Sequence, residues 1–385
     1  MMYLKIENLS VDLGDFHLKD IDLNLKEGEY LVLIGPTGSG KSVLLETIIG
    51  FYSPTKGTIK LKNKIINNIP PEDRGISIVY QDNILFPNMD VYDNIAYGGK
   101  KKYSKKELDE KINKIAKKMK IDHILHRSVD TLSGGEIQRT ALARALIVEP
   151  KMILMDEPFS ALDVTTQSKL TSLIKNVCKE YKTTCLHVTH DFNDVWNLAD
   201  RVGVMKDGKI HQLANTNEVF SRPENNFVAD FVGVQNIFEG HIIEINPEVA
   251  KIEIDNGIII SSSDIDCISK IIEKNKDIID ANNKVNGKIK VLIAIRPENI
   301  IFSKEKFESS AKNQMKGNII EIIKSGPTAL VNVAIDSHIF KGLLTKSSAD
   351  TLSVKKNKEV YISFKSLNVN IISDYERFNY YNLIS

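Results

Sequence analysis

A glycine-rich segment at residues 35–42 constrains this chain most, because its Gly-x4-Gly-Lys-Ser spacing is that of a phosphate-binding loop. Residues 30–34 before it predict a buried strand, and residues 42–49 predict a helix. Glycines let successive N–H groups approach phosphates, and the helix N-terminus adds partial positive charge. We expect Lys41 to reach the β- and γ-phosphates and the Ser42 hydroxyl to bind Mg²⁺. The segment reads Gly35, Pro36, Thr37, Gly38, Ser39, Gly40, Lys41, Ser42.

Two further strand ends carry polar side chains that suit phosphate chemistry. Residues 152–155 predict a buried strand, and Asp156 and Glu157 follow it, where open α/β sheets bind their ligands. We expect Asp156 to hold Mg²⁺ and its waters, and Glu157 to orient and polarise the attacking water. His190 follows a strand predicted at residues 184–188 and is expected near the γ-phosphate. A lone histidine is more often structural, so this role depends on the other motifs.

These motifs, in this order, make residues 1–235 resemble the ATP-binding subunit of ABC transporters. The resemblance implies an α/β P-loop NTPase cassette with a helical subdomain at about 83–145, and hydrolysis of ATP with Mg²⁺. It implies that Gln81 takes part in catalysis and in binding Mg²⁺, and that Asp163 lies at the nucleotide. The matching segments are the phosphate loop, the glutamine loop (Tyr80, Gln81, Asp82), the signature at 132–136, Asp156 and Glu157, the turn at 161–163, and the switch histidine His190.

The resemblance also implies a homodimer in which two chains enclose two ATP molecules. Ser133, Gly134 and Gly135 of one chain would complete the ATP site of the other. A Ser-Gly-Gly entry to a helix leaves free N–H groups suited to a γ-phosphate. Phe16 stands where the family places an aromatic ring on adenine, although a phenylalanine between strands is often a core residue.

Composition indicates a cytoplasmic protein of two domains, which we divide at residues 1–235 and 236–385. The 385 residues are 42% hydrophobic with a formal net charge of +1, which gives no global basic field for nucleic acid. The lysine runs near residues 100–106 are interpreted as solvated. Three cysteines without CxxC spacing argue against a disulfide framework or zinc site. No run approaches the ~18 apolar residues of a membrane span, and the N-terminus lacks an apolar signal core.

A transport role would therefore need separate membrane subunits. The resemblance places permease docking just after the glutamine loop, near Leu85, Phe86 and Pro87, although internal packing of the first two side chains is an equal alternative. It also implies a separate extracytoplasmic binding protein and a peripheral position at the cytoplasmic face of the membrane.

Beyond residue 225 the pattern changes to short strand-like runs separated by turns, which predicts an all-β, OB-like barrel domain. Residues 255–257 predict a hairpin turn, and residues 313–316 a boundary between two β modules. Strands are predicted at 240–245, 251–254, 257–261, 288–295, 318–323, 330–335, 339–343 and 359–364.

This tail carries a second resemblance. Residues 295–300 resemble the regulatory TOBE domain of import-type ATPases, and residues from about 316 to 373 resemble the small molybdate-binding module. A hydrated dianion needs many donors. The resemblance implies that these come from Thr345, Ser347, Ser348, Lys365 and Ser366, often across a subunit interface. The alternative is a β-barrel that only dimerises, and the turn at residues 356–358, without the module's usual glycine, adds no support for anion binding.

Four functions are compatible with the sequence. We favour the ATPase of a molybdate or tungstate importer, because residues 28–30, 35–46 and 186–190 most resemble that branch. The same role for sulfate, sugar, polyamine or iron stays open. A cassette ATPase of translation or DNA repair would predict a second phosphate loop or a long coiled coil, and the sequence has neither. An oxyanion-sensing regulator is the fourth option.

Overall fold

The computed structural model describes residues 2–81, 85–159, 164–254, 257–280 and 283–372. The chain divides into two compact units, of which the first ends at Thr216 and the second begins at Asn217. Our predicted domain boundary lay later, after residue 235. The predictions for Asp82, Asp163 and the turn residues 255 and 256 lie outside the described residues.

The first unit combines two sheets with helices. Its strands are β1 (Met2–Asp12), β2 (His17–Lys26), β3 (Tyr30–Ile34), β4 (Lys56–Leu61), β5 (Lys64–Ile65), β6 (Ile76–Val79), β7 (Met152–Asp156), β8 (Thr184–Val188), β9 (Arg201–Lys206) and β10 (Lys209–Asn215). Its helices are α1 (Lys41–Ile49), α2 (Val91–Ala96), α3 (Lys105–Met119), α4 (Gly134–Leu146), α5 (Val164–Tyr181) and α6 (Phe192–Leu198), and α7 (Thr216–Ser221) begins at its last residue.

A six-stranded sheet of order β10-β9-β3-β8-β7-β6 positions the site. Neighbouring strands from β9 to β6 run parallel, and β10 is antiparallel to β9. Every residue of β3, β7 and β8 is buried, as expected for parallel strands covered on both faces. The carboxyl ends of β3, β6, β7 and β8 therefore meet at one edge of the sheet, and the predicted motifs follow these four strands.

Antiparallel strands form the other sheet of this unit, in the order β2-β1-β4-β5. Its apolar side chains, such as Leu4, Leu23 and Ile59, share one core with Leu31 of β3 and Leu44 of α1. This packing fixes the strands that precede the phosphate loop against the helix that follows it.

Helices α2, α3 and α4 form the predicted helical subdomain. Helix α3 begins at a capping box in which Ser104 and Glu107 hydrogen-bond reciprocally, and it buries Leu108, Ile112 and Met119 on one face. Helix α4 begins directly after Ser133, so the signature segment forms a helix N-terminus as expected.

The second unit is built mainly from two antiparallel sheets, which confirms the predicted all-β character. They have the orders β13-β12-β11-β14-β20 and β15-β19-β16-β17-β18. The strands are β11 (Asn236–Ile245), β12 (Ala250–Ile254), β13 (Ile258–Ser262), β14 (Lys284–Ile295), β15 (Ile301–Ser303), β16 (Asn313–Ser325), β17 (Thr328–Ile335), β18 (His338–Thr345), β19 (Glu359–Phe364) and β20 (Asn370–Ile372). The helices are α8 (Asn226–Val232), α9 (Ile265–Lys274) and α10 (Lys346–Thr351).

Both sheets contribute to a single core, in which Ile242 and Ile293 lie with Val333, Phe340 and Phe364. Residues 313–316, which we predicted as a boundary between modules, instead begin β16 and pair with β19. The short strands β15 and β20 and helix α9 were not predicted. Helix α9 packs Ile268 and Ile271 into the same core, so tertiary burial stabilises a helix within a segment that we interpreted as β only.

Candidate functional site

A cavity of about 420 Å³ lies at the carboxyl edge of the six-stranded sheet. Because four parallel strands end there, side chains far apart in sequence meet around one space. Among the described residues, it is lined by Phe16, Thr37, Gly38, Ser39, Gly40, Lys41, Ser42, Val43, Gln81, Asp156, Glu157, Val188 and His190. Val43 and Val188 are additions to the predicted set, and no sequence signal distinguished them from core residues.

The phosphate loop wraps around the Lys41 side chain. Lys41 Nζ donates to the Gly35 and Pro36 carbonyl oxygens at 2.9 and 3.0 Å, and to Ser39 Oγ at 3.3 Å. Burial lowers the pKa of Lys41, while the nearby carboxylates Glu157 and Asp156 act in the opposite direction. The loop therefore presents one buried cation among backbone N–H groups, an arrangement suited to a polyphosphate.

Phe16 packs directly on the phosphate loop. The backbone of Gly40 has φ +99°, and a Cβ there would lie 2.5 Å from Phe16 Cζ. Only glycine allows both this backbone conformation and this approach. The aromatic ring is half-buried at the rim of the cavity, which is compatible with the predicted contact to adenine.

A turn between β9 and β10 connects the phosphate loop with the strand that follows Phe16. Gly208 N donates to the Ser39 carbonyl oxygen at 3.1 Å, and Gly208 O accepts from Lys19 N at 2.9 Å. Gly208 has φ +74°, and a Cβ there would lie 2.0 Å from the His17 carbonyl oxygen. This contact was not predicted, because a glycine between two strands signals only a turn.

Ser42 and Asp156 both line the cavity, and their side chains fit a Mg²⁺ ion bound to phosphate. Burial raises the pKa of the Asp156 carboxyl group, while the Ser42 hydroxyl acts in the opposite direction. In the described part of the chain, no group of three or more His, Cys, Asp or Glu side chains forms a metal site. A hydroxyl and one carboxylate suit Mg²⁺, which usually keeps waters and takes its remaining ligands from substrate phosphates.

Glu157 and His190 are in direct contact in the lining of the cavity. His190 Nδ1 lies 2.9 Å from Glu157 Oε1, although the two residues follow different strands. The Glu157 backbone has φ +45° and its N–H donates to the Val188 carbonyl oxygen at 2.9 Å. The main chain thus directs this carboxylate into the site, as expected for a group that acts on water beside a phosphate.

The signature residues Ser133, Gly134 and Gly135 do not line this cavity. Both the N–H and the hydroxyl of Ser133 donate to Glu136 Oε2, each at 2.8 Å. The Glu136 carboxylate therefore accepts from both donors of Ser133. The N–H groups of Gly134 and Gly135 lie in the first turn of α4, where a helix has no intrahelical acceptors for them.

The predicted docking segment is held by a buried asparagine. Asn94 Oδ1 accepts from Phe86 N at 2.8 Å, and Asn94 Nδ2 donates to the carbonyl oxygens of Phe86, Met89 and Asp90. The Phe86 ring lies 4.5 Å from the Tyr97 ring, with the Arg144 guanidinium 4.8 Å from its centre. Leu85 is buried, which matches the packing alternative for that residue, whereas half of Tyr97 is exposed beside Phe86.

The five predicted oxyanion residues fall into two groups at opposite ends of β16 within one chain. Thr345 pairs with Thr328, which pairs in turn with Ser325 at the last residue of β16. Lys365 follows Phe364, which pairs with Asn313 at the first residue of β16. In the first group, Thr345 Oγ1 hydrogen-bonds Ser348 Oγ and N, and Ser347 stands between them. In the second group, Ser366 Oγ lies 2.9 Å from Ser263 Oγ. One chain alone does not bring the two groups together.

No helix in the described part of the chain combines the length and apolar character needed to cross a bilayer.

Comparison with known proteins links these sites to a family. The ABC transporter family matches residues 18–160, and the TOBE domain family matches residues 309–371. The molybdate/tungstate import ATP-binding protein WtpC of Pyrococcus abyssi is 41% identical over 94% of this chain and 98% of its own length. The Fe(3+) ions import ATP-binding protein FbpC of Fusobacterium nucleatum is 34% identical over 96% of this chain and 93% of its own length. The dimeric ATP-binding cassette MJ0796, solved with ADP and Pi, is 31% identical with a TM-score of 0.51, over 55% of this chain and 98% of that cassette.

These matches confirm the cassette fold and the TOBE domain. The match to the Pyrococcus abyssi protein extends over nearly the whole chain. Residues 37–42, Asp156, Glu157 and His190, which carry the cassette motifs, line one cavity. The chain therefore belongs to the ABC transporter family, as an import ATP-binding protein that hydrolyses ATP.

Proposed function

We propose that this chain energises the import of molybdate or tungstate through a separate membrane permease. The main support is that similarity to a molybdate/tungstate import ATP-binding protein extends over 94% of the chain, so it includes the C-terminal unit as well as the cassette. The relative named for Fe(3+) import has lower identity, 34%, over a similar length.

In the proposed ATP site, the predicted side chains around the cavity contact adenine, phosphates or Mg²⁺. Phe16 contacts the adenine, residues 35–42 hold the phosphates, and Lys41 reaches the β- and γ-phosphates. Ser42, Gln81 and Asp156 would hold Mg²⁺, which would neutralise charge on the phosphates.

Hydrolysis is assigned to Glu157 and His190. Glu157 orients and polarises the attacking water, and His190, 2.9 Å from this carboxylate, contacts the γ-phosphate. Gln81 would act in catalysis as well as hold Mg²⁺. These roles require that all three side chains line one cavity, as they do.

We propose that two chains enclose two ATP molecules. Each site would take Ser133, Gly134 and Gly135 from the partner subunit and would include Asp163. The proposal is supported by the position of the signature residues outside the cavity of their own chain, and by the dimeric state of the related cassette MJ0796. Free N–H groups at the start of α4 would bind the γ-phosphate from the far side.

The permease would dock near Leu85, Phe86 and Pro87, at the cytoplasmic face of the membrane. Asn94 holds this segment in one conformation, and the Phe86 and Tyr97 rings offer an apolar contact for a short helix. A separate extracytoplasmic binding protein would deliver the oxyanion. No nucleic acid partner is proposed.

The C-terminal unit would bind molybdate or tungstate as a regulatory ligand. Because Thr345, Ser347 and Ser348 lie at the opposite end of β16 from Lys365 and Ser366, a complete site would need two chains, each giving one group. Binding in this way would change the equilibrium between two arrangements of the dimer.

Uptake by cells that lack this gene tests the cargo directly. We expect that restoring the gene restores uptake of radiolabelled molybdate or tungstate, and that the Lys41→Ala variant does not. Labelled Fe(3+) and sulfate serve as comparison cargoes. Restored uptake of either of these, without molybdate or tungstate uptake, would contradict the proposed cargo while leaving the ATPase assignment intact.

A further inference from the structure

A buried polar network lies directly beneath the His190 loop. Thr189 and Asp194 are each 2% exposed, although both carry polar side chains. Thr189 Oγ1 donates to Asp194 Oδ2 at 3.0 Å and accepts from Asp191 N at 3.0 Å. The residues on each side of His190 are therefore joined through one hydroxyl group.

Gln167 of α5 adds a second connection to the same loop. Its Nε2 donates to Asp191 Oδ2 at 2.7 Å and to Asp194 Oδ1 at 3.2 Å. Asp191 Oδ1 also accepts from Asn193 N at 2.8 Å. Thr189 and Gln167 thus each donate to one oxygen of Asp194, and both also hydrogen-bond Asp191.

The hydrogen bonds from Thr189 and Gln167 stabilise the charged form of the Asp194 carboxylate. Burial raises its pKa to about 6, while hydrogen bonds from Gln167 and Thr189 lower it. His187 Nε2 lies 3.8 Å from Asp194 Oδ2, but burial lowers the His187 pKa to about 3, so this ring is neutral near pH 7 and forms no ion pair. A buried anion without an opposite charge must be stabilised by neutral donors.

We propose that Asp194 is a positioning residue, which fixes the His190 loop through Thr189 and Gln167 so that the imidazole faces Glu157. Thr189 N also donates to the Leu33 carbonyl oxygen at 3.1 Å, at the end of the strand that leads to the phosphate loop. The network therefore sets the position of His190 relative to both Glu157 and the phosphates. This inference depends on the proposed role of His190 in hydrolysis.

The Thr189→Val variant tests the inference, because it removes the hydroxyl group and keeps the shape. In the full chain we expect kcat to fall by about 10- to 100-fold, as small displacements of catalytic groups do. ATP affinity and the melting temperature should stay close to wild type, because the phosphate loop is unchanged. Thr189→Ser, which restores the hydroxyl, should recover most of the rate.

Thr183→Val is the matched control, since Thr183 is also 2% exposed and, among the described residues, its hydroxyl donates to the Pro150 carbonyl oxygen alone. It should hydrolyse ATP at the wild-type rate. Combining Thr189→Val with Asp194→Asn should cost less than the sum of the two single effects, because both act through one hydrogen bond.

Two outcomes would overturn the inference. One is a wild-type kcat for Thr189→Val while His190→Ala is inactive. The other is a joint loss of kcat, ATP affinity and melting temperature that Thr189→Ser does not repair, which would indicate a purely structural role. An active His190→Ala variant would instead refute the proposed role of His190 itself.

Discussion

Replacement of Glu157 by Gln separates ATP binding from hydrolysis. The main chain of Glu157 is fixed by φ +45° and by its N–H bond to the Val188 carbonyl oxygen, and neither depends on the side-chain charge. The side chain lies 2.9 Å from His190 Nδ1, a contact that an amide oxygen can keep. The substitution removes the basicity of the carboxylate and its negative charge near Lys41. Removing a general base costs about 10²- to 10⁴-fold in rate, equivalent to about 3–5 kcal/mol on the barrier.

The assay measures phosphate release at saturating ATP, together with the affinity for a fluorescent ATP analogue. We expect Glu157→Gln to lose turnover by this factor, to keep ATP affinity, and to form a stable dimer with ATP. Glu149→Gln is the matched control, because Glu149 also has a positive φ, of 52°, but lies at the surface in an ion pair with Lys111. Hydrolysis by Glu157→Gln at the rate of this control would refute the assignment of the base.

Three further perturbations follow from the contacts described. Gly208→Ala should destabilise the chain by about 2–4 kcal/mol in urea unfolding, because its Cβ would meet the His17 carbonyl oxygen. Gly28→Ala, with φ +76° but nothing within 4 Å of its Cβ, should cost only about 1 kcal/mol; equal losses would contradict the steric argument. Asn94→Ala should cost about 2–4 kcal/mol and open residues 85–90 to protease, whereas Asn113→Ala, on the exposed face of α3, should change stability by under about 0.5 kcal/mol. Cleavage of Asn94→Ala at the wild-type rate would contradict the role of Asn94 in holding the docking segment. Calorimetric titration of the full chain should give heat with tungstate and molybdate but not with sulfate. Lys365→Ala should weaken the affinity for tungstate and molybdate by about tenfold or more. No heat with either heavy oxyanion would leave the C-terminal unit without a regulatory ligand.

The residues that line the cavity were predictable from sequence wherever a backbone geometry and a chemical requirement coincide. The phosphate loop needs glycine at specific positions, and Asp156 and His190 follow buried strands whose carboxyl ends must meet at one edge of a parallel sheet. The predicted strands therefore located three of the four strand ends at the cavity, whereas Gln81, which follows β6, was identified from the glutamine loop alone. The eight strands predicted in the C-terminal unit also match observed strands, because their alternating apolar residues face one shared core.

Other features depend on contacts between segments far apart in sequence. Gly208 supports the phosphate loop from a turn more than 160 residues away, and Asp194 and Gln167 meet only because α5 packs against α6. Helix α9 was missed although its sequence carries local helix signals: Asp264 caps its N-terminus by accepting from Cys267 N, and Ile268 and Ile271 lie on its buried face. The separation of Lys365 from Thr345 followed from the strand order of a sheet, which local sequence patterns do not encode.

A mixture of two inactive variants tests the shared ATP site most directly. If Lys41 of one chain and Ser133 of the other form each site, a dimer of one Lys41→Ala chain and one Ser133→Ala chain has one site with both lesions and one with neither. Hydrolysis by the mixture should then exceed the mean rate of the two variants measured alone, approaching about a quarter of wild type if pairing is random and sites act independently. A rate equal to that mean, in a mixture shown by mass spectrometry to contain the heterodimer, would contradict the composite site.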